Sequence, residues 1–347
     1  MVEGHTATIG TFKLGKDEPI RVQTMYDSPI PHGQEELLSL LKRLGTLQSM
    51  GCDIIRFSYP SDEDHQAFLW LCKHSPMPVV ADIHFDYKMA LAAIECGCQK
   101  IRINPGNIGA RWKVDEIVKS AKDHEVAIRI GLNSGSLPKG TEPMPVLMVN
   151  SAMDYLSWFE QANFFNSVVS LKASDVETTY QANLLFSEKC GYPLHLGVTE
   201  AGSVVSSVIR STWALGRLLS QGIGNTLRIS ITGDIETEVQ AGVELLRTLG
   251  LRKGGIRIVS CPRCGRHSFD SQGFLQSVEK DLLTIDKDLT VAIMGCQVNG
   301  PGEASHADIA ITGIGKSVFL YEKGKLSREV SVESAKEALL EAIDNAK

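Results

Sequence analysis

Short, near-continuous apolar runs alternate with stretches of helical periodicity over the first 250 residues of this chain. The runs are Ile20–Met25, Asp53–Phe57, Pro78–Ile83, Lys100–Ile103, Val126–Ile130, Ser167–Leu171, Pro193–Leu196 and Thr226–Ile231. They are rich in Val and Ile and seldom alternate with polar residues. That is the pattern of parallel strands covered on both faces. Between them, Leu37, Leu40, Leu41, Leu44 and Leu47 keep the spacing of a buried helix face, as do Val239, Val243, Leu246 and Leu249 after the last run. Ser61 followed by Asp64 resembles a capping box, and Asp234 precedes an acidic first turn. Eight strand–helix units predict a TIM (β/α)8 barrel over residues 1–250. The alternative is an open doubly wound sheet, but a barrel uses all eight units without remainder.

Gly250 stands where a helix C-cap is expected, and Leu251–Gly255 reads as a linker. Residues 251–347 follow a different rhythm. Strands are predicted at Ile256–Ser260, Thr290–Met294, Ala307–Ile311 and Val318–Tyr321, and helices at Leu275–Leu283 and Val332–Ile343. This is a small α+β domain.

Composition narrows the function classes. The chain has 347 residues, 43% hydrophobic and 22% charged, enough for a large domain and a smaller one. A formal net charge of -6 argues against nucleic acid or an anionic membrane as partner, so any anion site must be local. No secretion signal opens the sequence, and no apolar run reaches the roughly 18 residues of a membrane helix. A cytoplasmic location is expected. The eight cysteines then read as thiols or metal ligands, not as a disulfide framework.

The carboxyl ends of parallel barrel strands open on one face, where the chemistry sits. At or just after the eight strands stand Gln23, Arg56, Asp82 and His84, Arg102 and Asn104, Arg129 and Asn133, Lys172, Glu200, and Arg228. Five of these ends carry Arg or Lys. A ring of cations on one mouth calls for a polyanion, and guanidinium forks match phosphate oxygens. Asn104–Gly109 and Gly131–Ser136 are Gly-containing turns through which backbone N–H groups could approach phosphate. Each Arg taken singly could equally serve a rim ion pair. Glu200, one acid facing several cations, suits general acid–base work. Asp82 and His84 could orient hydroxyls, shuttle protons or serve rim hydrogen bonds.

In the second domain, Cys261-Pro-Arg-Cys264 and the later Cys296 each follow an apolar strand-like run. Three thiolates are one ligand short of a closed four-cysteine site. They could hold a structural zinc with His267, form a redox dithiol from Cys261 and Cys264, or carry a [4Fe–4S] cluster with one open iron. Glu303 lies nearby in a Gly-Pro-Gly-Glu turn. Cys52, Cys72, Cys96, Cys98 and Cys190 read as small buried hydrophobes.

Taken together, five strings resemble the 4-hydroxy-3-methylbut-2-enyl diphosphate synthase family. They are Ala81–Asp86, Arg102–Gly109, Arg129–Leu137, Ser260–Arg266 and Met294–Ala304, and they occur in family order over almost the whole chain. The resemblance implies a TIM barrel for substrate followed by a [4Fe–4S] domain. It makes Cys261, Cys264 and Cys296 the thiolate ligands and Glu303 the fourth, replaceable one. Arg56, Arg102, Arg129, Asn133, Lys172 and Glu200 fall on pocket positions. The implied reaction is reductive ring opening and dehydroxylation of 2-C-methyl-D-erythritol 2,4-cyclodiphosphate, with flavodoxin or ferredoxin as electron donor. A head-to-tail homodimer is expected, each cluster covering the other subunit's barrel. The segment Thr24-Met25-Tyr26-Asp27-Ser28 departs from the family's usual Ser-Met-Thr-Asn-Thr, as does the run after Cys264. Two rival classes stay open: a non-redox, aconitase-like lyase, and a zinc-stabilised module that only binds phosphate ligands.

Overall fold

A computed structural model describes residues 4–59, 61–137, 140–262, 264–296, 302–303 and 305–346. Two compact units divide the chain, residues 1–252 and 253–347.

The first unit opens with a hairpin, β1 (Ala7–Ile9) and β2 (Phe12–Leu14), turning at Gly10 with φ 58°. The hydrophobic pattern did not predict it, because three-residue strands are too short to show a period. Ala7, Ile9 and Leu14 pack on Ile54, Val80, Ala127 and Val168 at the N-terminal ends of barrel strands. The hairpin therefore plugs one end of the barrel and leaves only the other open.

The barrel strands are β3 (Arg21–Met25), β4 (Ile54–Ser58), β5 (Val79–Asp82), β6 (Lys100–Ile103), β7 (Ala127–Asn133), β8 (Ser167–Lys172), β9 (His195–Leu196) and β10 (Thr226–Leu227). Each except β8 pairs in parallel with the next, and β10 returns to β3. A parallel bridge between Val169 and Leu194 closes the remaining gap from β8 to β9. The predicted (β/α)8 barrel is the observed one. The helices are α1 (Gln34–Ser49), α2 (His65–His74), α3 (Tyr87–Glu95), α4 (Pro105–Ile108), α5 (Arg111–Asp123), α6 (Met144–Gln161), α7 (Val176–Lys189), α8 (Val204–Leu219) and α9 (Ile235–Thr248). On α1, Leu37, Leu40, Leu44 and Leu47 are buried, the face the spacing marked. Gly250 takes φ 70°, the left-handed conformation of a helix C-cap, as expected.

Three local details differ from the sequence pattern. Strand β7 runs on to Asn133, because Gly131, Leu132 and Asn133 pair with Ser170, Leu171 and Lys172. Strand β10 stops at Leu227, four residues before the predicted end; beyond it the Ile231 N–H goes to the Glu238 carboxylate at 3.0 Å instead of a neighbouring strand. Ser61 does not cap the backbone, since its hydroxyl donates to Asp64 at 3.3 Å and α2 begins at His65.

The second unit is a sheet of β11 (Ile256–Ser260), β12 (Leu289–Met294), β13 (Ile309–Ile314), β14 (Ser317–Glu322) and β15 (Lys325–Ser331), in that order. The first three are parallel and the last two antiparallel. Helices α10 (Ser271–Leu283) and α11 (Ala335–Asn345) cover one face, where Phe274, Val278, Leu282, Leu339 and Ile343 pack on Val291, Ile293, Ile309 and Ile311. Strand β15 was not predicted. It is an exposed edge, mostly polar, and carries no apolar run. No helix among the described residues is long and apolar enough to cross a membrane.

Candidate active site

Inside the barrel, residues two apart on a strand share the lumen. The upper positions place Arg56, Arg102, Arg129, Lys172 and Arg228 around one cavity of about 290 Å³ at the open end. Asp82, His84 and Asn133 line it too, with Met25, Ser170, Thr199 and Ser230. Asp82 is the one carboxylate lining it among the described residues.

Asp82 organises the cations on its side. Its carboxylate lies 3.3 Å from Arg102 Nη1, 3.7 Å from Arg56 Nε and 3.9 Å from His84 Nε2. Burial would raise its pKa, but Arg56, Arg102 and Arg129 outweigh burial and hold it down at about 2. Arg56 is pushed down to about 10 by burial, a cost that Asp82 only partly offsets. Its Nε and Nη2 donate to the Met25 sulfur at 3.2 and 2.7 Å, and Arg228 Nη1 stands 3.7 Å from the same atom. A thioether is a weak acceptor, so both guanidiniums retain hydrogen-bonding capacity for a stronger one.

Arg129 is 1% exposed, and its Nε and Nη1 have no hydrogen-bond partner among the described residues. Burial and the neighbouring guanidiniums push both Arg129 and Lys172 well below their usual ranges. A buried charge without a partner is expensive, and an entering anion relieves that cost. Two glycines make room for these side chains. A Cβ on Gly131 would collide with the Arg102 guanidinium, and one on Gly197 would lie 2.6 Å from Lys172 Nζ.

Two residues further down the strands lies a polar layer, of which strand-end reasoning reached only Gln23. Lys100, fully buried, donates to Gln23 Oε1 at 3.0 Å. His195, also fully buried, pairs through Nδ1 with Thr226 Oγ1 at 2.8 Å. Both titrate well below their ordinary ranges, chiefly through burial. Lys100 and Ser170 each stand two residues before a predicted site cation, so strand alternation was the available signal. Glu238, which holds Arg228, had no such signal because it comes from a helix.

Two sequence-predicted residues stand apart from the cavity. Asn104 is spent on local structure: its Oδ1 accepts from Gly106 N at 3.2 Å at the start of α4, and its Nδ2 donates to Ser136 at 3.1 Å. Glu200 is exposed and has φ 53°, a conformation non-glycine residues rarely take and one often stored near functional sites. A second hollow, about 720 Å³, lies at the plugged end of the barrel. Gln99, Asn166 and Lys122 in its lining are committed internally, Gln99 to Val79 and Gly97, Asn166 to Thr8, and Lys122 to Ala162.

In the second unit, β11 and β12 pair in parallel with Ser260 opposite Ile293. Cys261 and Cys296 therefore emerge at the same end of adjacent strands. Gly295 N–H donates to Cys261 Sγ at 3.3 Å. Cys264 is exposed, and its carbonyl oxygen is 2.7 Å from His267 Nδ1, which leaves Nε2 of that ring for any metal. Glu303 is exposed in a short turn. Residues 263, 297–301 and 304, part of the cysteine motifs, lie outside the described residues. Among those described, no three His, Cys, Asp or Glu side chains stand together as a metal site. By chemistry the donor set fits an iron–sulfur group: thiols emerge at one sheet end, a backbone N–H points at a thiol sulfur, and a carboxylate is available. Of the other cysteines, Cys52, Cys96 and Cys98 are buried while Cys72 and Cys190 are partly so, and all are free thiols.

Fold and site define a class: a parallel β/α barrel with a cationic mouth, joined to a cysteine-bearing sheet domain. Residues 4–243 match the GcpE TIM-barrel domain and residues 257–345 the GcpE protein C-terminal domain. The chain belongs to the GcpE family. A relative from Treponema denticola, named 4-hydroxy-3-methylbut-2-en-1-yl diphosphate synthase (flavodoxin), is 42% identical over 99% of this chain and 95% of its own. One of the same name from Caldanaerobacter subterraneus is 44% identical over 97% of this chain and 95% of its own. Among solved structures, Xanthomonas albilineans dihydropteroate synthase superposes with a TM-score of 0.52 at 13% identity, covering 72% of this chain and 98% of that one. That likeness concerns the barrel fold alone.

Proposed function

We propose that this chain catalyses the reductive ring opening and dehydroxylation of 2-C-methyl-D-erythritol 2,4-cyclodiphosphate to (E)-4-hydroxy-3-methylbut-2-enyl diphosphate, a step of isoprenoid precursor synthesis. The observation that carries it is the cavity where five cationic side chains face one lining carboxylate, Asp82. Ring opening releases a bridging phosphate oxygen, so negative charge grows on the diphosphate as the C–O bond breaks. Arg56, Arg102, Arg129, Lys172 and Arg228 stabilise that growth in place, before any reorganisation. His84 and Asn133 orient the substrate hydroxyls. Glu200, on the rim loop, moves the proton that the departing hydroxyl requires.

Cys261, Cys264 and Cys296 would hold a [4Fe–4S] cluster with Glu303 as the replaceable fourth ligand, and when bound that group supplies the two electrons one at a time. Electrons enter from flavodoxin, the donor in the relatives' names, or from ferredoxin. The working form is a homodimer; full activity from a monomer by sedimentation would overturn that.

The test is Cys296→Ser, purified anaerobically, with iron, labile sulfide and turnover measured. Loss of iron together with turnover is expected. A retained cluster with full turnover sinks the ligand assignment, and colourless wild-type protein carrying zinc sinks the redox reading.

A further inference from the structure

Glu238 projects from the first turns of α9 and is 2% exposed. Its carboxylate receives four donors. Arg228 Nε reaches Oε2 at 2.9 Å and Arg228 Nη2 reaches Oε1 at 2.8 Å, a two-point fork. Thr24 Oγ1 donates to Oε2 at 2.6 Å, and the Ile231 N–H to Oε1 at 3.0 Å. The acid thus occupies one whole edge of the guanidinium and leaves Nη1 toward the cavity, where among the described residues it has only the Met25 sulfur at 3.7 Å.

We propose that Glu238 is a positioning residue: it locks the Arg228 fork so that its Nη1 edge meets a diphosphate oxygen, and Thr24 fixes the carboxylate in turn. The proposal rests on the reading of this cavity as a diphosphate pocket. Three features separate this from a general clasp. The fork is bidentate, which sets the guanidinium plane and rotation, where a single contact would leave both free. Its carboxylate oxygens already accept four hydrogen bonds, so they are committed to these donors rather than to substrate. Thr24 comes from β3, the strand that pairs with β10 and packs against α9, and it lies in the segment that departs from the family's usual sequence.

The test uses the full chain. Calorimetric titration with inorganic diphosphate is run on wild type, Glu238→Gln, Thr24→Val and Thr24→Ser, followed by KM and kcat for the cyclic diphosphate on cluster-loaded enzyme. Glu238→Gln keeps the shape but replaces one acceptor oxygen with a donor, so half of the fork is lost. Its diphosphate Kd and its KM should both rise about tenfold with kcat within about threefold. Thr24→Val, close to isosteric and expected to fold, should raise both about threefold, and Thr24→Ser should restore them. A structural clasp would lower thermal stability without splitting KM from kcat. Unchanged Kd and KM in folded Glu238→Gln, or in Thr24→Val should Glu238→Gln fail to fold, overturn the positioning role while leaving the pocket intact. Wild type that fails to bind diphosphate overturns the pocket reading and this role with it.

Discussion

Lys172 is pushed well below the usual lysine range by burial first and then by Arg129, Arg56, Arg228 and Arg102. An anion entering the cavity cancels part of the contribution from the four guanidiniums but not the burial. The lysine's pKa therefore rises on binding, and any fraction neutral in the empty pocket takes its proton from solvent. Titration with diphosphate in two buffers of different ionisation enthalpy should show more proton uptake by wild type than by Lys172→Met at the same pH. Equal uptake by both would mean that Lys172 is already fully protonated in the empty pocket. The same logic explains why Asp82 alone cannot neutralise the mouth: it meets Arg56 and Arg102, while Arg129 keeps two nitrogens without partners among the described residues.

At the level of elements, small residues at fixed strand positions decide where long cations can lie. Gly197 follows β9, and a Cβ there would sit 2.6 Å from Lys172 Nζ and 2.9 Å from the Arg228 carbonyl oxygen. The side chain could swing aside but the backbone oxygen cannot. Gly197→Ala should thus displace Lys172 and weaken diphosphate binding about tenfold, roughly 1.4 kcal/mol, as read by calorimetry. At the opposite end, the β1–β2 hairpin carries no chemistry. Leu14, fully buried against barrel strands, contributes packing only. Leu14→Ala should cost about 2–5 kcal/mol in denaturant unfolding and leave diphosphate affinity unchanged. A change in affinity would show that the plug communicates with the mouth.

Over the whole molecule, the barrel and the sheet domain each own a core, one centred on the strands and their plug and the other on α10, α11 and their sheet. Scanning calorimetry should resolve two unfolding transitions, and diphosphate at about 100 times its Kd should stabilise only the barrel's, by about 2.7 kcal/mol. A single transition that shifts as a unit would contradict separate cores. The number and order of barrel strands were legible in the chain because strands buried on both faces must be apolar almost throughout. The ring of site cations was legible for a related reason: a barrel has one open mouth, so polar residues ending apolar runs must gather there. That Cys261 and Cys296 leave adjacent strand ends was legible from the apolar runs before them, and the family likeness from long matching strings. Other features were settled only in three dimensions. Asn104 was drawn into a helix start and Glu200 set on the rim, while Lys100 and His195 were buried beneath the cations. Glu238 reached Arg228 from a helix ten residues downstream. A linear pattern records whether a residue is polar and which way its strand faces. It does not record which donor meets which acceptor, because that choice depends on side chains converging from elements distant in sequence.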